Sequence, residues 1–188
     1  MAAIHLEDQT RDRQGMLYRI GVAQLTNITP QNIGNWEIKS DGSKEWTLRV
    51  NSAGAEALSF LFEKFVLYGA TTLDIADLNG KRLHKTLTSK DVESHQMYNA
   101  NLCFGDDMIL ILREPAYTTP SLIHIDKVMH NYRATGNPSV QKINESDPCQ
   151  VNVNCSPVGD SWQDEKRGVA RIYCVTGNMG GWCSGSLV

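Results

Sequence analysis

Residues 45–51, with the sequence EWTLRVN, carry the clearest β-strand pattern in the chain. Trp46, Leu48 and Val50 alternate with polar side chains, so apolar groups point to one face of an extended chain and polar groups to the other. A strand of this kind has one buried and one solvated face, which is typical of an antiparallel sheet.

Further strand patterns lie on both sides of this segment. Residues 58–63 and 122–126 alternate in the same way, whereas Met108–Leu112 is apolar throughout and predicts a central strand buried on both faces. The pairs Asp41-Gly42 and Asn79-Gly80 are typical of tight turns between strands.

Helical periodicity is weak along the chain, and no repeat is visible. Short strands separated by glycine and proline turns therefore predict an all-β fold, a jelly-roll-like β-sandwich over residues 16–133.

The charge balance excludes some classes of function. The 188 residues contain 18 Lys and Arg against 21 Asp and Glu, a formal net charge of −3, which argues against a nucleic-acid binder. The longest unbroken apolar run, Met108–Leu112, is far below the roughly 20 residues of a spanning helix, so we expect no membrane span.

The character of the sequence changes after the predicted sandwich. Residues 134–148, ATGNPSVQKINESDP, are polar and rich in small residues, which is typical of a linker. After it, residues 169–175 predict a strand, 177–181 a turn and 182–188 the start of another strand. Four of the five cysteines lie in this tail: Cys149, Cys155, Cys174 and Cys183, with Cys103 upstream.

The familiar metal and nucleophile motifs are missing from the sequence. It contains no CxxC, and all its histidines precede the cysteine-rich tail, so a zinc site is not expected. Ser186 follows a glycine but lacks the G-x-S-x-G nucleophile elbow. The pair Asp106-Asp107 could bind calcium, although a turn explains it without a metal. We therefore expect no metal and no cofactor.

Four features of the tail together suggest a family. They are the C-x5-C pair Cys149–Cys155, Trp162, the segment Arg167–Ile172 and the segment WCSGSLV, residues 182–188. In this order they resemble the start of the mature domain of lysyl endopeptidase-like secreted bacterial serine proteases, which are trypsin-like double β-barrels. Upstream, segments such as residues 125–133 look like the β-sandwich pro-region that precedes such proteases.

The resemblance implies a function for the whole precursor. Residues 149–188 would be the N-terminal fragment of a trypsin-like domain, an incomplete β-barrel whose catalytic triad is expected beyond Val188. The chain would then belong to a secreted or cell-surface bacterial serine endopeptidase that cuts proteins or peptides, with cleavage after Lys as the family expectation. The pro-region would pack on its own protease domain, and the chain alone would be inactive because it lacks the triad.

The resemblance also implies a fate for the cysteines. The counterparts of Cys149 and Cys155 bridge to cysteines far downstream, and the counterpart of Cys183 bridges to a cysteine beside the catalytic histidine. Cys174 departs from this pattern and either pairs with Cys183 across a hairpin or stays free. Cys103, in the sandwich, is expected to be a small buried apolar residue.

Maturation of such a precursor would require a cut in the linker. The bond Lys142–Ile143 is our candidate, since such an enzyme would cut after Lys and could process itself, and Arg133 is the second candidate. The simpler interpretation is that Lys142 is an ordinary solvated lysine.

Two other interpretations remain open. The sandwich could be a non-catalytic module that binds protein or carbohydrate, with Trp36 and Trp46 as a sugar-stacking platform, although such tryptophans more often belong to the core or cover an edge. A cytosolic thiol protein is a third and weaker interpretation.

Overall fold

The computed structural model describes residues 2–133 and 153–187. Strands account for 47% of the structure and helices for 15%, which confirms the predicted all-β class. The helices are α1 (Ala2–Arg13) and α2 (Gln163–Gly168). The strands are β1 (Tyr18–Ile28), β2 (Asn35–Ile38), β3 (Lys44–Asn51), β4 (Ala57–Val66), β5 (Thr72–Ala76), β6 (Tyr98–Asn99), β7 (Cys103–Phe104), β8 (Asp107–Glu114), β9 (Leu122–Asn131), β10 (Val169–Thr176) and β11 (Met179–Ser186).

The chain forms two compact units. Of the described residues, one unit contains 21–133, and the other contains 2–20 together with 153–187. The predicted division into a sandwich over 16–133, a linker over 134–148 and a protease fragment over 149–188 stays a prediction, and the linker lies outside the described residues.

The first unit is a sandwich of two antiparallel sheets. Strands follow the order β1-β9-β4-β6 in one sheet, where β7 also pairs with β4, and the order β2-β3-β8-β5 in the other. Successive strands of the chain therefore cross between the sheets repeatedly, as they do in a jelly roll.

One apolar core lies between the two sheets. Trp46 of β3 and Leu110 of β8 meet Phe60 of β4 and Ile125 of β9, and all four side chains are fully buried. The alternation of EWTLRVN is thus explained, because Trp46 and Leu48 face this core while Arg49 faces solvent.

β8 is central, as its sequence predicts, since it pairs with β3 on one side and β5 on the other. The expectation that both its faces are buried is wrong. Met108, Leu110 and Leu112 are fully buried, but Ile109 and Ile111 lie half-buried on the outer face. The outer face of an antiparallel sandwich sheet needs no covering layer, so apolar side chains there remain in partial contact with water.

Both predicted tight turns are present. Lys39 N–H donates to Ser43 O at 2.9 Å around Gly42, and Asp77 N–H donates to Lys81 O at 2.9 Å around Gly80. Gly42 has φ +82° and Gly80 has φ +80°, a region that glycine enters without steric cost.

The second unit contains a helix that periodicity did not indicate. α1 lacks an apolar stripe, but Asp8 on it accepts a hydrogen bond of 2.7 Å from Arg19 Nε, and both side chains are buried. Arg19 Nη2 also donates to Ile4 O at 3.2 Å and to Glu7 at 3.0 Å. The buried Asp8–Arg19 ion pair therefore holds α1 in place, a role that an apolar helix face usually has.

The tail of the same unit is a short helical segment followed by a hairpin. A 3-10 turn (Val158–Trp162) leads into α2, and β10 then pairs with β11 from Val169↔Ser186 to Thr176↔Met179. The connection is the two-residue turn Gly177-Asn178, with Gly177 at φ +59°, so it is shorter than the predicted turn over 177–181. Among residues 2–133 and 153–187, neither helix has the length and apolar character needed to cross a bilayer.

Candidate functional site

The β10–β11 hairpin brings the distinctive tail residues together on two faces. On one face, Ile172 lies opposite Cys183 and Cys174 lies opposite Gly181. On the other face, Tyr173 lies opposite Trp182. The motif WCSGS thus occupies a single strand, with Trp182 and Cys183 pointing to opposite sides of the hairpin.

The Trp182 face is an aromatic and cationic cluster. The rings of Tyr173 and Trp182 lie 5.6 Å apart at 63°, an edge-to-face arrangement. The guanidinium carbon of Arg171 lies 3.9 Å from the Trp182 ring centroid, a cation–π contact. Gly180 permits this cluster, because a Cβ at that position would lie 2.6 Å from the Tyr173 hydroxyl.

The Cys183 face carries two free thiols. Cys174 and Cys183 are half-buried. The pKa of Cys174 is raised, mainly by hydrogen bonding to the Cys183 side chain and to a smaller extent by burial. Cys155 is free and exposed. The disulfides predicted for Cys155 and Cys183 stay predictions, and Cys149 lies outside the described residues, as do Lys142 and Ile143 of the predicted cleavage site.

Cys103 is free and fully buried in the sandwich core. Burial raises its pKa to about 12, which keeps the thiol protonated and unreactive.

The 3-10 turn (Val158–Trp162) and α2 form an open apolar cleft with the start of the hairpin. It has a volume of about 570 Å³, and its lining consists of Val153, Val158, Gly159, Trp162, Glu165, Lys166 and Val169. Trp162 is 55% exposed and Val169 is 67% exposed. Apolar surface of this kind is typical of a face that packs against further protein.

A buried Ser–His pair in the sandwich is a feature that sequence reasoning missed. Ser52 Oγ lies 2.8 Å from His130 Nδ1, and Gln24 Nε2 donates to Ser52 Oγ at 3.3 Å. Burial lowers the pKa of His130, which favours the neutral ring. The tautomer of the ring decides whether Ser52 Oγ or His130 Nδ1 donates in this hydrogen bond.

The geometry of this pair does not match a serine nucleophile. In a Ser-His-Asp triad the serine contacts Nε2 and a carboxylate orients Nδ1, whereas here Nδ1 meets the serine. No carboxylate forms an ion pair with His130 within residues 2–133 and 153–187. Ser52 and His130 lie 78 positions apart, on the loop after β3 and on β9, so no local sequence motif could have identified the pair.

An ion-pair network covers the outer face of the other sheet. Arg113 Nε donates to Glu45 at 2.9 Å and Arg113 Nη1 to Asp74 at 2.6 Å, while Lys39 lies 2.6 Å from Glu37. These charges compensate one another, so the network leaves little net charge to attract a ligand.

The acidic pair beside β8 is also satisfied by protein groups. Asp107 forms an ion pair with Arg49 at 2.5 Å, and Asp106 accepts the Gly54 N–H at 3.2 Å. In the part of the chain that the structure describes, no group of three or more His, Cys, Asp or Glu side chains is arranged to hold a metal ion.

Trp36 and Trp46 do not form a common platform. Trp46 is fully buried and donates its Nε1–H to Ile33 O at 2.8 Å, whereas Trp36 is 40% exposed and donates to Pro30 O. The prediction of a stacking surface built from both rings is therefore wrong.

No protein-family model matches the chain, and no solved structure matches it.

Proposed function

We propose that the chain is the N-terminal part of a secreted serine endopeptidase precursor, with the sandwich as its pro-region and the hairpin as the first strands of the catalytic domain. The apolar exposure of the hairpin carries this proposal. Val169 is 67% exposed and Ile172 is 44% exposed, although both lie in regular strands. Apolar residues in paired strands are typical of a sheet that further β-structure covers.

The sandwich suits the role of a pro-region because it has a core of its own. Most of the largest fully buried side chains among the described residues, including Trp46, Phe60 and Phe62, belong to this unit. A unit that folds around its own core can pack on a neighbouring protease domain as a preformed body. The sandwich would pack on the protease domain of the same precursor, and a bacterium would export this precursor to the cell surface or beyond.

The chain by itself is proposed to be inactive. The Ser–His pair that it contains is buried, engages the wrong ring nitrogen and has no orienting carboxylate among the described residues. We expect the purified chain to leave lysyl peptide substrates intact, whereas the precursor hydrolyses peptide bonds, with cleavage after Lys as the family expectation.

The decisive experiment uses the complete gene product that contains this chain. We expect secretion, peptidase activity on a lysyl peptide, and a mature N-terminus at Ile143 after cleavage of the Lys142–Ile143 bond. The variant Lys142→Gln should accumulate uncleaved precursor, while Lys127→Gln, a lysine in β9, should mature normally. A gene product without peptidase activity would overturn the function, and a different mature N-terminus would overturn only the cleavage site.

A binding module is the second candidate, and edge strand β2 favours it. All four residues of β2 are exposed, with Ile38 72% and Trp36 40% exposed. An open strand edge with apolar side chains can accept an extended peptide. Binding of the chain to immobilised peptides or polysaccharides, lost on Trp36→Ala and kept on Tyr117→Ala, would support this candidate.

A further inference from the structure

The spacing of side chains on one face of the β10–β11 hairpin makes a specific cross-strand pair. Cys174 lies opposite Gly181, and Cys183 lies two residues further along β11 on the same face. Gly181 has no side chain to stand between Cys174 and Cys183, and the place where its Cβ would be lies 2.8 Å from Leu17 Cγ.

The neighbouring pair shows that side chains on this face do lean in that direction. Ile172 is paired with Cys183, yet its Cδ1 lies only 2.6 Å from the place where a Cβ on Gly185 would stand. The displacement is the same diagonal, two residues along β11. The twist of the hairpin therefore brings Cys174 toward Cys183 as it brings Ile172 toward Gly185.

The two thiols lie near each other as a consequence, and hydrogen bonding to the Cys183 side chain is the largest cause that raises the pKa of Cys174. Both are free, and both remain partly exposed, so a small oxidant can reach them. Cys103 contrasts with them, since it is fully buried, and Cys155 contrasts because it is exposed without a thiol partner in the described residues.

We propose that Cys174 and Cys183 form a reversible disulfide across the hairpin, closed by a small disulfide oxidant and reopened by a thiol. One thiolate attacks the oxidant disulfide and releases one thiol, which leaves a mixed disulfide on the protein. The second cysteine attacks that mixed disulfide, forms the Cys174–Cys183 bond and releases the second thiol. Two protein thiols are oxidised and one oxidant disulfide is reduced to two thiols.

The closed bond has two consequences for the hairpin. It ties β10 to β11 beside the Gly177-Asn178 turn, and it occupies Cys183, which then cannot pair with any other cysteine. Cys174 therefore controls whether Cys183 is available. This inference rests on the hairpin alone and stands whether or not the chain is part of a protease precursor.

The sequence of the hairpin makes the test direct. No Lys or Arg lies between Cys174 and Cys183, so trypsin releases both in the peptide that follows Arg171. The full chain is equilibrated with oxidised glutathione, alkylated without reduction and digested. We expect that peptide to lose two alkylation sites and two hydrogen atoms, and we expect dithiothreitol to restore both sites. A second digestion with chymotrypsin, which cuts after Trp182, should yield two pieces that remain joined.

Matched variants decide the partner. Cys174→Ser and Cys183→Ser should each abolish the internal bond, whereas Cys155→Ser should leave it unchanged, with far-UV circular dichroism to show that each variant folds. Glutathione that stays on Cys183 while Cys174 is alkylated would overturn the proposal. A bond from Cys183 to Cys155 or Cys149 in the wild-type chain would overturn it equally.

Discussion

β8 and β10 are both eight-residue strands rich in aliphatic residues, but they differ in what their apolar side chains contact. Met108, Leu110 and Leu112 of β8 are fully buried in the sandwich core. In β10, Val169 and Ile172 are exposed, and none of its residues is buried.

The difference shows that a regular strand in this chain need not carry buried apolar side chains. The backbone register of β10 with β11 is regular over all eight pairs, although no residue of β10 is buried. The aliphatic side chains of β10 therefore bury less apolar surface than those of β8 and contribute less to stability. The sandwich has the larger stabilising contribution, since burial of an aliphatic side chain is worth roughly 1.5–3 kcal/mol.

The largest expected effect comes from a matched pair of isoleucines. Ile75→Ala in β5 removes a fully buried side chain and should lower the free energy of unfolding by about 2–5 kcal/mol, because it leaves a cavity in the core. Ile172→Ala in β10 removes a side chain that is 44% exposed, and it should change the same free energy by roughly 0.5 kcal/mol or less.

Urea unfolding followed by circular dichroism measures both variants. Equal losses for the two isoleucines would contradict the contrast between the strands, because they would place Ile172 in a core that the sandwich depends on.

The next effect concerns pH and tests the buried Ser–His pair. Burial lowers the pKa of His130 in the folded chain, so the unfolded chain binds the proton more readily. The stabilisation is fully present above the unfolded histidine pKa of about 6.5. It is lost as the pH falls below that value toward and through the lower folded pKa, so the sandwich should weaken on acidification in that window.

His130→Asn should remove this pH dependence while its amide oxygen keeps an acceptor for Ser52. His95→Asn is the control, because His95 is an exposed histidine outside the core. Urea midpoints from pH 7.5 down to pH 5 measure the effect. An unchanged slope in His130→Asn would show that other groups govern the acid sensitivity.

The sequence predicted the parts of the fold that repeat a local pattern. The alternation around Trp46, the apolar run of β8 and the glycines at positions 42 and 80 identified two strands and two turns, because period-two burial and positive φ leave a direct trace in the sequence. The same information could not separate one covered face of β8 from two. Aliphatic residues are compatible with either, and only the layer beyond Ile109 and Ile111 decides.

The features that were missed depend on residues far apart in the chain. Helix α1 is held by the buried Asp8–Arg19 pair rather than by an apolar stripe, so its sequence shows no helical periodicity of apolar residues. Ser52 and His130 meet only because β3 and β9 belong to opposite sheets of one sandwich. The sequence leaves two alternatives for Cys174, a bond to Cys183 or a free thiol. Only the register of the hairpin favours the bond.

The smallest expected effect lies on the other face of that hairpin. Arg171 stacks on Trp182 with its guanidinium 3.9 Å from the ring centroid, and an exposed cation–π contact is worth about 0.5–1 kcal/mol. Arg171→Gln should therefore raise hydrogen exchange of the β10 and β11 amides severalfold and leave the sandwich amides unchanged, whereas Arg171→Lys, which keeps a cation, should have a smaller effect. In a double-mutant cycle with Trp182→Leu, the Arg171→Gln effect should disappear, because the ring that the cation contacts is gone. If exchange instead rises in the sandwich, the hairpin and the sandwich share one cooperative unit, and the contrast between β8 and β10 is one of exposure rather than of stability.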